Sequence, residues 1–227
     1  MKAALSFKEA KALDQEAQAF GISGTMLLEA AGLKLAQCIK KQVLESDAIA
    51  IVYGKGNNGA DALVAASHLL KWGYSCFLYS PYNKDQLTDE TARRFSFISA
   101  FKDKVYCFEL GEQADFFEIC QKKKVKLIVD ALFGIGLSAG RSFSKSILRL
   151  IETINQQTSP ILAVDVPSGL CEGVKQVLPV VKASQTLSFA AQKQALLDHP
   201  VYCGDITLSD IGIPKEVYDT LGLFFPF

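Results

Sequence analysis

The sequence predicts an α/β protein: a mostly parallel, doubly wound sheet preceded by two helices. Three observations predict it. Strand-like and helix-like runs alternate from about residue 48 to 166. The strand runs are apolar without a break, as in Ile49-Ala50-Ile51-Val52, which suits a sheet covered on both faces. A glycine-rich turn, Gly54-Lys55-Gly56-Asn57-Asn58-Gly59-Ala60-Asp61, joins the first such strand to the helix that follows.

The elements follow in order. Ser6-Phe7-Lys8-Glu9 reads as a capping box and Gly21 as a stop, so residues 7–20 form a helix. A second helix is expected from about 25 to 44, with Leu27, Leu28, Ala31, Leu35 and Ile39 near helical spacing. Strands are expected at 48–53, 74–79, 105–108, 126–129 and 161–166. Helices between them are expected at about 61–72, 89–101, 113–123 and 143–155. Such strands connect by right-handed crossovers. Thr186–Phe189 and Asp205–Leu208 read as two more strands with no long helix between them. No repeat, linker or low-complexity tract divides the chain, so one domain over residues 1–227 is expected.

Composition narrows the functions. Hydrophobic residues make up 49% of the chain and charged residues 21%, the balance of a packed globular protein. Basic and acidic residues are equal at 24 each, which argues against nucleic-acid and membrane-surface roles, since both need a basic field. No apolar run reaches the roughly 20 residues of a membrane span. Met1–Ala10 lacks the apolar core of a secretory signal. The six cysteines form no Cys-x-x-Cys pair, as expected of reduced thiols in a cytoplasmic protein.

Ligands of such sheets bind beyond the carboxyl ends of the strands. Three segments fall there: 54–61, 130–141 and 165–169. Glycines in the first allow a sharp turn and a close approach, and a helix opening behind it favours a phosphate. Residues 54–59 match Gly-x-Gly-x-x-Gly, but the acidic residue expected about 20 positions on is missing, because that strand ends in Tyr79-Ser80-Pro81. No Tyr-x-x-x-Lys pair or Walker pattern is present. The same turn read without a ligand is a mere connection. Asp130 and Asp165 each end an apolar strand, where a carboxylate serves either as a cap or as an acid–base group. Ser168 lacks a nucleophile elbow and reads as a turn or oxygen-ligand residue. His68 reads as structural, His199 as a turn residue, Lys193 as a solvated loop lysine and 122–124 as a surface run.

Several separated segments together resemble one family. Asn57-Asn58-Gly59-Ala60-Asp61-Ala62-Leu63-Val64-Ala65-Ala66 is similar to its Asn-Asn-Gly-Gly-Asp-Gly-Leu-Val-Ala-Ala motif. Val129-Asp130-Ala131-Leu132-Phe133-Gly134-Ile135-Gly136-Leu137 resembles its second signature, and Ala163-Val164-Asp165-Val166-Pro167-Ser168-Gly169-Leu170 its third. The early Met26-Leu27-Leu28-Glu29-Ala30-Ala31-Gly32 and the closing Tyr202–Asp205 and Asp210–Pro214 also fit. The family is NAD(P)H-hydrate epimerase, the YjeF N-terminal domain.

The resemblance implies a Rossmann-like three-layer αβα fold, usually dimeric. It implies interconversion of the R and S forms of hydrated NADH and NADPH, which a companion dehydratase then restores to usable cofactor. That dehydratase is often fused behind this domain. Here the sequence stops soon after Ile213-Pro214, so the companion is expected to be absent or to lie outside it. Asn57, Asn58, Gly59, Ala60 and Asp61 would bind the substrate, with Gly134, Ile135, Gly136, Leu137, Ser138, Ala139 and Gly140 as a second loop. Asp165 would touch the substrate and carry the acid–base chemistry. Asn58, Asp130 and Ser168 would hold a potassium ion, and hard oxygen ligands suit an alkali cation.

Three residues depart from the family pattern. Ala60 and Ala62 replace glycines, so either the backbone is helical by Ala60 or the loop is slightly altered. Cys171 stands where an aspartate is usual. Two alternatives stay open: a non-catalytic nucleotide-binding or protein-interaction module on the same fold, and a different nucleotide-binding enzyme on a similar sheet.

Overall fold

A computed structural model describes residues 4–101, 105–109, 116–136, 143–173 and 179–227. The chain opens with β1 (Ala4–Leu5), α1 (Phe7–Ala19) and α2 (Gly24–Lys40). The capping box is present: Ser6 Oγ accepts from the Glu9 amide at 3.2 Å, and Glu9 Oε2 accepts from the Ser6 amide at 2.7 Å. Gly21, at φ 105°, stops α1 in the left-handed region that glycine occupies without strain. Ser23 caps α2 through the Met26 amide, 3.2 Å away.

The alternating body follows as β2 (Ala48–Tyr53), α3 (Asn57–Lys71), β3 (Ser75–Ser80), α4 (Asp89–Ile98), β4 (Val105–Glu109), α5 (Phe116–Lys123), β5 (Leu127–Ala131), α6 (Lys145–Asn155) and β6 (Ile161–Val164). The last part holds β7 (Gln185–Phe189), β8 (Gln192–Lys193), α7 (Gln194–Asp198), β9 (Asp205–Ser209) and α8 (Lys215–Thr220). Seven strands form one sheet in the order β4-β3-β2-β5-β6-β7-β9, with every pairing parallel. The two late strands join the same sheet. A separate two-stranded parallel ribbon pairs β1 with β8, setting Leu5 opposite Lys193.

Alternate residues of one strand feed two cores, as the unbroken apolar runs require. Ile49, Ile51 and Tyr53 pack on the face covered by α1–α4 and α8. Ala50 and Val52 pack with Phe116, Ile147 and Ile151, on the face covered by α5 and α6. The result is the expected three-layer, Rossmann-like fold. From β2 the chain steps outward to β3 and β4 on one side and returns to β5 on the other. The β2–β5 junction is therefore the topological switch point, where a cleft opens outside the strand ends.

Two boundaries differ from expectation for reasons that matter to the site. Helix α3 begins at Asn57 rather than near 61, with Ala60 N bonded to Gly56 O at 3.0 Å. Ala60 and Ala62 are thus both helical and need no glycine. Strand β6 ends at Val164 because Asp165 adopts φ 66°, which an extended strand cannot continue. Smaller differences fall at helix ends, where α2 stops at Lys40 and α4 at Ile98.

Candidate active site

The turn after β2 is built on contacts closer than any side chain allows. A Cβ on Gly54 would lie 1.9 Å from the Leu132 carbonyl oxygen, and one on Gly59 would lie 2.0 Å from the Gly54 carbonyl oxygen. These glycines lock the start of α3 onto the ends of β2 and β5. Gly56 differs: a Cβ there meets nothing within 4 Å. As N-cap of α3 it provides no side-chain cap, so the first amides of the helix face the cleft with the positive end of the helix dipole. The Thr88 amide and the Thr91 hydroxyl donate to the Lys55 and Gly56 carbonyls at 3.0 and 3.2 Å and brace the turn from behind.

The second segment is held by Asp130. Its carboxylate is fully buried and accepts from Ser168 N at 2.8 Å, from Ser168 Oγ at 2.6 Å and from Leu132 N at 3.4 Å. Burial pushes the Asp130 carboxyl up to about 6, although its bonds from Ser168 and Leu132 oppose the rise. Ser168 Oγ also accepts from the Phe133 amide at 2.8 Å. The 130–134 and 165–168 loops are thereby tied together. Gly134 in turn rests on Asn58: a Cβ built on it would be 3.2 Å from Asn58 Oδ1.

The third segment carries Asp165, which meets Lys193. Asp165 and Ala190 sit at φ 66° and 62°, left-handed conformations that are strained for non-glycine residues. Each is the centre of an i→i+2 turn, with Val166 N bonded to Val164 O at 2.8 Å and Ala191 N to Phe189 O at 2.6 Å. These turns end the neighbouring strands β6 and β7 side by side. Asp165 Oδ1 accepts from the Phe189 amide at 3.2 Å and from the ammonium of Lys193, whose Nζ also donates to Phe189 O at 2.6 Å. Lys193 is 3% exposed, so the expectation of a solvated loop lysine is corrected. Its pairing through β8 with β1 draws it inward, and the carboxylate it meets compensates its burial.

All three segments meet on one cleft of about 690 Å³. Asn57, Asn58, Asp61, Gly134, Ile135, Gly136 and Asp165 line it, together with Lys193. Gly59, Ala60, Asp130 and Ser168 lie behind that lining, buried. Leu137, Ser138, Ala139 and Gly140 lie outside the described residues. Cys171 is not part of the lining, and its Sγ contacts Gly169 O at 3.7 Å.

Two of the lining carboxyls, Asp61 and Asp14, are displaced toward their protonated forms. Asp61 is pushed well above the usual carboxylate range by burial and by the charges of Asp165 and Asp14, with Lys193 opposing. Asp14 is pushed up to about 6 by burial and then by Asp165, again against Lys193. Asp14 and Lys193 are the site residues that sequence reasoning missed. A signal for Asp14 existed. It is half-buried at the edge of the inward stripe of α1, one helical turn from the buried Ala10 and Ala17, where a carboxylate is unusual for packing.

Oxygen donors gather around Asn58. The Asn58 Nδ2 atom is buried with no hydrogen-bond partner. Turning that amide exchanges the orphaned donor for an oxygen, which a cation would satisfy. Asp130, Ser168 Oγ and the Phe133 carbonyl add further hard oxygens on the segment against which Asn58 packs. These residues fit an alkali cation.

Fold and site define an α/β protein with a carboxylate–lysine centre beside an uncapped helix N-terminus at the sheet's switch point. The chain belongs to the family described as YjeF-related protein N-terminus, whose profile matches residues 24–195. It is 32% identical over 219 residues to the NAD(P)H-hydrate epimerase of Lentilactobacillus buchneri, covering 94% of this chain and 96% of that one. It is 33% identical over 208 residues to the NAD(P)H-hydrate epimerase of Bordetella pertussis, covering 88% and 85%. The bifunctional NAD(P)H-hydrate repair enzyme Nnr of Salinibacter ruber is 32% identical over 211 residues, 88% of this chain but 39% of that one. The chain thus spans about two fifths of that bifunctional relative. Among solved structures, the crystal structure of yeast ynu0 superposes with a TM-score of 0.82 at 25% identity, covering 100% of this chain and 96% of that one.

Proposed function

We propose that this chain is an NAD(P)H-hydrate epimerase, which interconverts the R and S forms of hydrated NADH and NADPH. The observation that carries the reading is the buried Asp165–Lys193 pair opening on the same cleft as the uncapped start of α3. The near end-to-end match to relatives named NAD(P)H-hydrate epimerase supports it.

The carbon that carries the hydroxyl is bonded to the ring nitrogen. Departure of that hydroxyl as water, pushed by the nitrogen lone pair, leaves a planar iminium, and water returning to the other face inverts the centre. The protein must bind the dinucleotide, hold the ring and move protons. The amides at Asn57–Gly59 and the dipole of α3 favour a phosphate group. Asn57, Asn58 and Asp61, with Gly134–Gly140, are the proposed substrate contacts. Asp165 accepts or donates the proton at the hydroxyl oxygen. Lys193 holds the Asp165 carboxylate in place and stabilises its charge, and the turn strain at Asp165 aims it off the sheet. Asn58, Asp130 and Ser168 would hold a potassium ion, which would supply positive charge beside the anionic substrate. The functional partner is an NAD(P)H-hydrate dehydratase, in keeping with the bifunctional relatives. A homodimer acting in the cytoplasm completes the proposal. Among the described residues no helix is long and apolar enough to cross a membrane.

The test supplies a pure dehydratase with a mixture of hydrated NADH epimers. Added wild-type chain is expected to let the R fraction be consumed faster than it equilibrates spontaneously, and Asp165→Asn is expected to abolish most of that gain. No acceleration by the wild type would leave a non-catalytic binding module as the reading of this fold.

A further inference from the structure

We propose that Asp14, on α1, is a second catalytic acid–base residue that works opposite Asp165 across the ring of the substrate. The inference rests on the epimerase reading and adds the group that inversion requires. A hydroxyl leaving one face and a water entering the other need proton carriers on both sides, and one carboxylate at the end of β6 serves one side.

The structure brings Asp14 to the site on a separate element, α1. Helix α1 is held beside the Asp165–Lys193 pair by two ties at its start and begins at its own capping box. Leu5 pairs with Lys193 across the β1–β8 ribbon. Ser6 and Glu9 close the capping box. The Phe7 amide donates to Glu172 Oε2 at 2.8 Å, which binds α1 to the loop that follows Asp165 and Ser168. Two turns on, Asp14 lines the cleft with Asp165 and Lys193. Among the described residues none hydrogen-bonds its carboxyl, although Asp130 and Asp165 are each held by several donors. A half-buried carboxyl at the edge of the inward helix stripe, lining a cleft and unbonded by protein, is placed for a ligand.

The charged and titratable groups around it are Lys11 on its own helix, Asp61 on α3, Asp165 after β6, Lys193 on β8 and Tyr218 on α8. Tyr218 donates to the Ala190 carbonyl at 2.8 Å. Burial raises Asp14, Asp165 raises it further and Lys193 opposes, leaving it at about 6. Asp14 is therefore available in its protonated form closer to neutrality than an ordinary aspartate.

The step balances. Protonated Asp14 gives its proton to the departing hydroxyl, the C–O bond breaks, the ring nitrogen lone pair forms the C=N bond, and water leaves. A second water bonds the carbon from the other face and loses its proton to the Asp165 carboxylate. The opposite direction exchanges the two roles, and water in the cleft returns the proton.

The experiment follows relaxation of R-enriched hydrated NADH toward the epimer mixture between pH 5 and 8, with the spontaneous rate subtracted. It compares wild type with Asp14→Asn and measures ADP-ribose affinity of both. Wild type is expected to lose kcat as pH rises through about 6. Asp14→Asn is expected to lose at least about thirtyfold in kcat and to lack that limb, with ADP-ribose affinity within threefold, since general acid–base groups contribute ~10²–10⁴ in rate. An Asp14→Asn chain that keeps the rate and the limb, or that loses ADP-ribose affinity in step with its rate, overturns the assignment. If Asp14→Asn does not fold, Asp14→Glu decides: a retained limb supports the assignment and a missing one overturns it. A wild type that fails to accelerate relaxation overturns the epimerase reading itself, whereas an active wild type with an unaffected Asp14→Asn overturns only this inference.

Discussion

Lys193 Nζ donates to Asp165 Oδ1 and to the Phe189 carbonyl, so one buried ammonium closes the ends of β6 and β7 together. The carboxylate it meets is turned off the sheet at φ 66°, and two further carboxyls, Asp14 and Asp61, share its field. The ion pair is therefore a structural joint at the cleft as well as the proposed reactive centre.

Lys193→Met should destabilise the chain, because it leaves the Asp165 carboxylate unpaired among other acids with its side chain only 12% exposed. Removing one partner of a buried pair costs about 3–5 kcal/mol. Urea unfolding should show this loss, and the double change Lys193→Met with Asp165→Asn should recover part of it. Equal losses in the single and double variants would mean that the pair does not couple.

The glycines of the 54–59 turn should separate into two kinds. Gly54→Ala and Gly59→Ala press a methyl group into backbone 1.9 and 2.0 Å away, and overpacking costs roughly 1–3 kcal/mol or more. Gly56→Ala enters open space and should cost about 1 kcal/mol at most, through its poorer N-cap. Thermal melts of the three variants test the ranking.

Stability should depend on pH through Asp130. Its folded value, about 6, lies above that of an unfolded aspartate, so the folded state binds the proton more tightly. That contribution is fully present below about pH 4 and is lost as pH rises through about 6, and it amounts to about 3 kcal/mol. Asp14 shifts in the same direction and over the same window. Urea unfolding between pH 4 and 7 should show a shallower dependence in Asp130→Asn than in wild type, at the cost of the acceptor that faces the Ser168 amide.

Potassium should raise the melting temperature relative to choline at equal ionic strength and pH 7.5, because a ligand that binds only the folded state stabilises it by mass action. Asn58→Ala and Ser168→Ala should both lose that increment. An increment that survives in both variants would place the cation elsewhere.

The strand–helix alternation, the unbroken apolar strands and the Ser6–Glu9 cap were legible in the sequence because each is local. Periodicity and capping express backbone geometry over a few residues, and the structure repeats them to within a few positions. The convergence of 54–61, 130–136 and 165–169 was legible for a related reason. In a parallel sheet every strand ends at the same edge, so residues after successive strands must become neighbours. The role of the turn glycines was read less well. Gly54 and Gly59 are needed for contact between backbones, not for a positive φ, and close packing between distant segments leaves no mark in local sequence.

By itself the sequence determined the layers, the edge where a ligand would sit and the aspartates Asp130 and Asp165 at that edge. Only the tertiary structure decided that Lys193 is buried against Asp165, that Asp14 overlooks the same cleft, and that Asn58 carries an orphaned amide. Those facts depend on which elements pack together: a two-residue ribbon between β1 and β8 joins parts of the chain nearly two hundred residues apart. A side chain's charge state and partners are set by its surroundings in space, and the number of residues along the chain does not encode that distance.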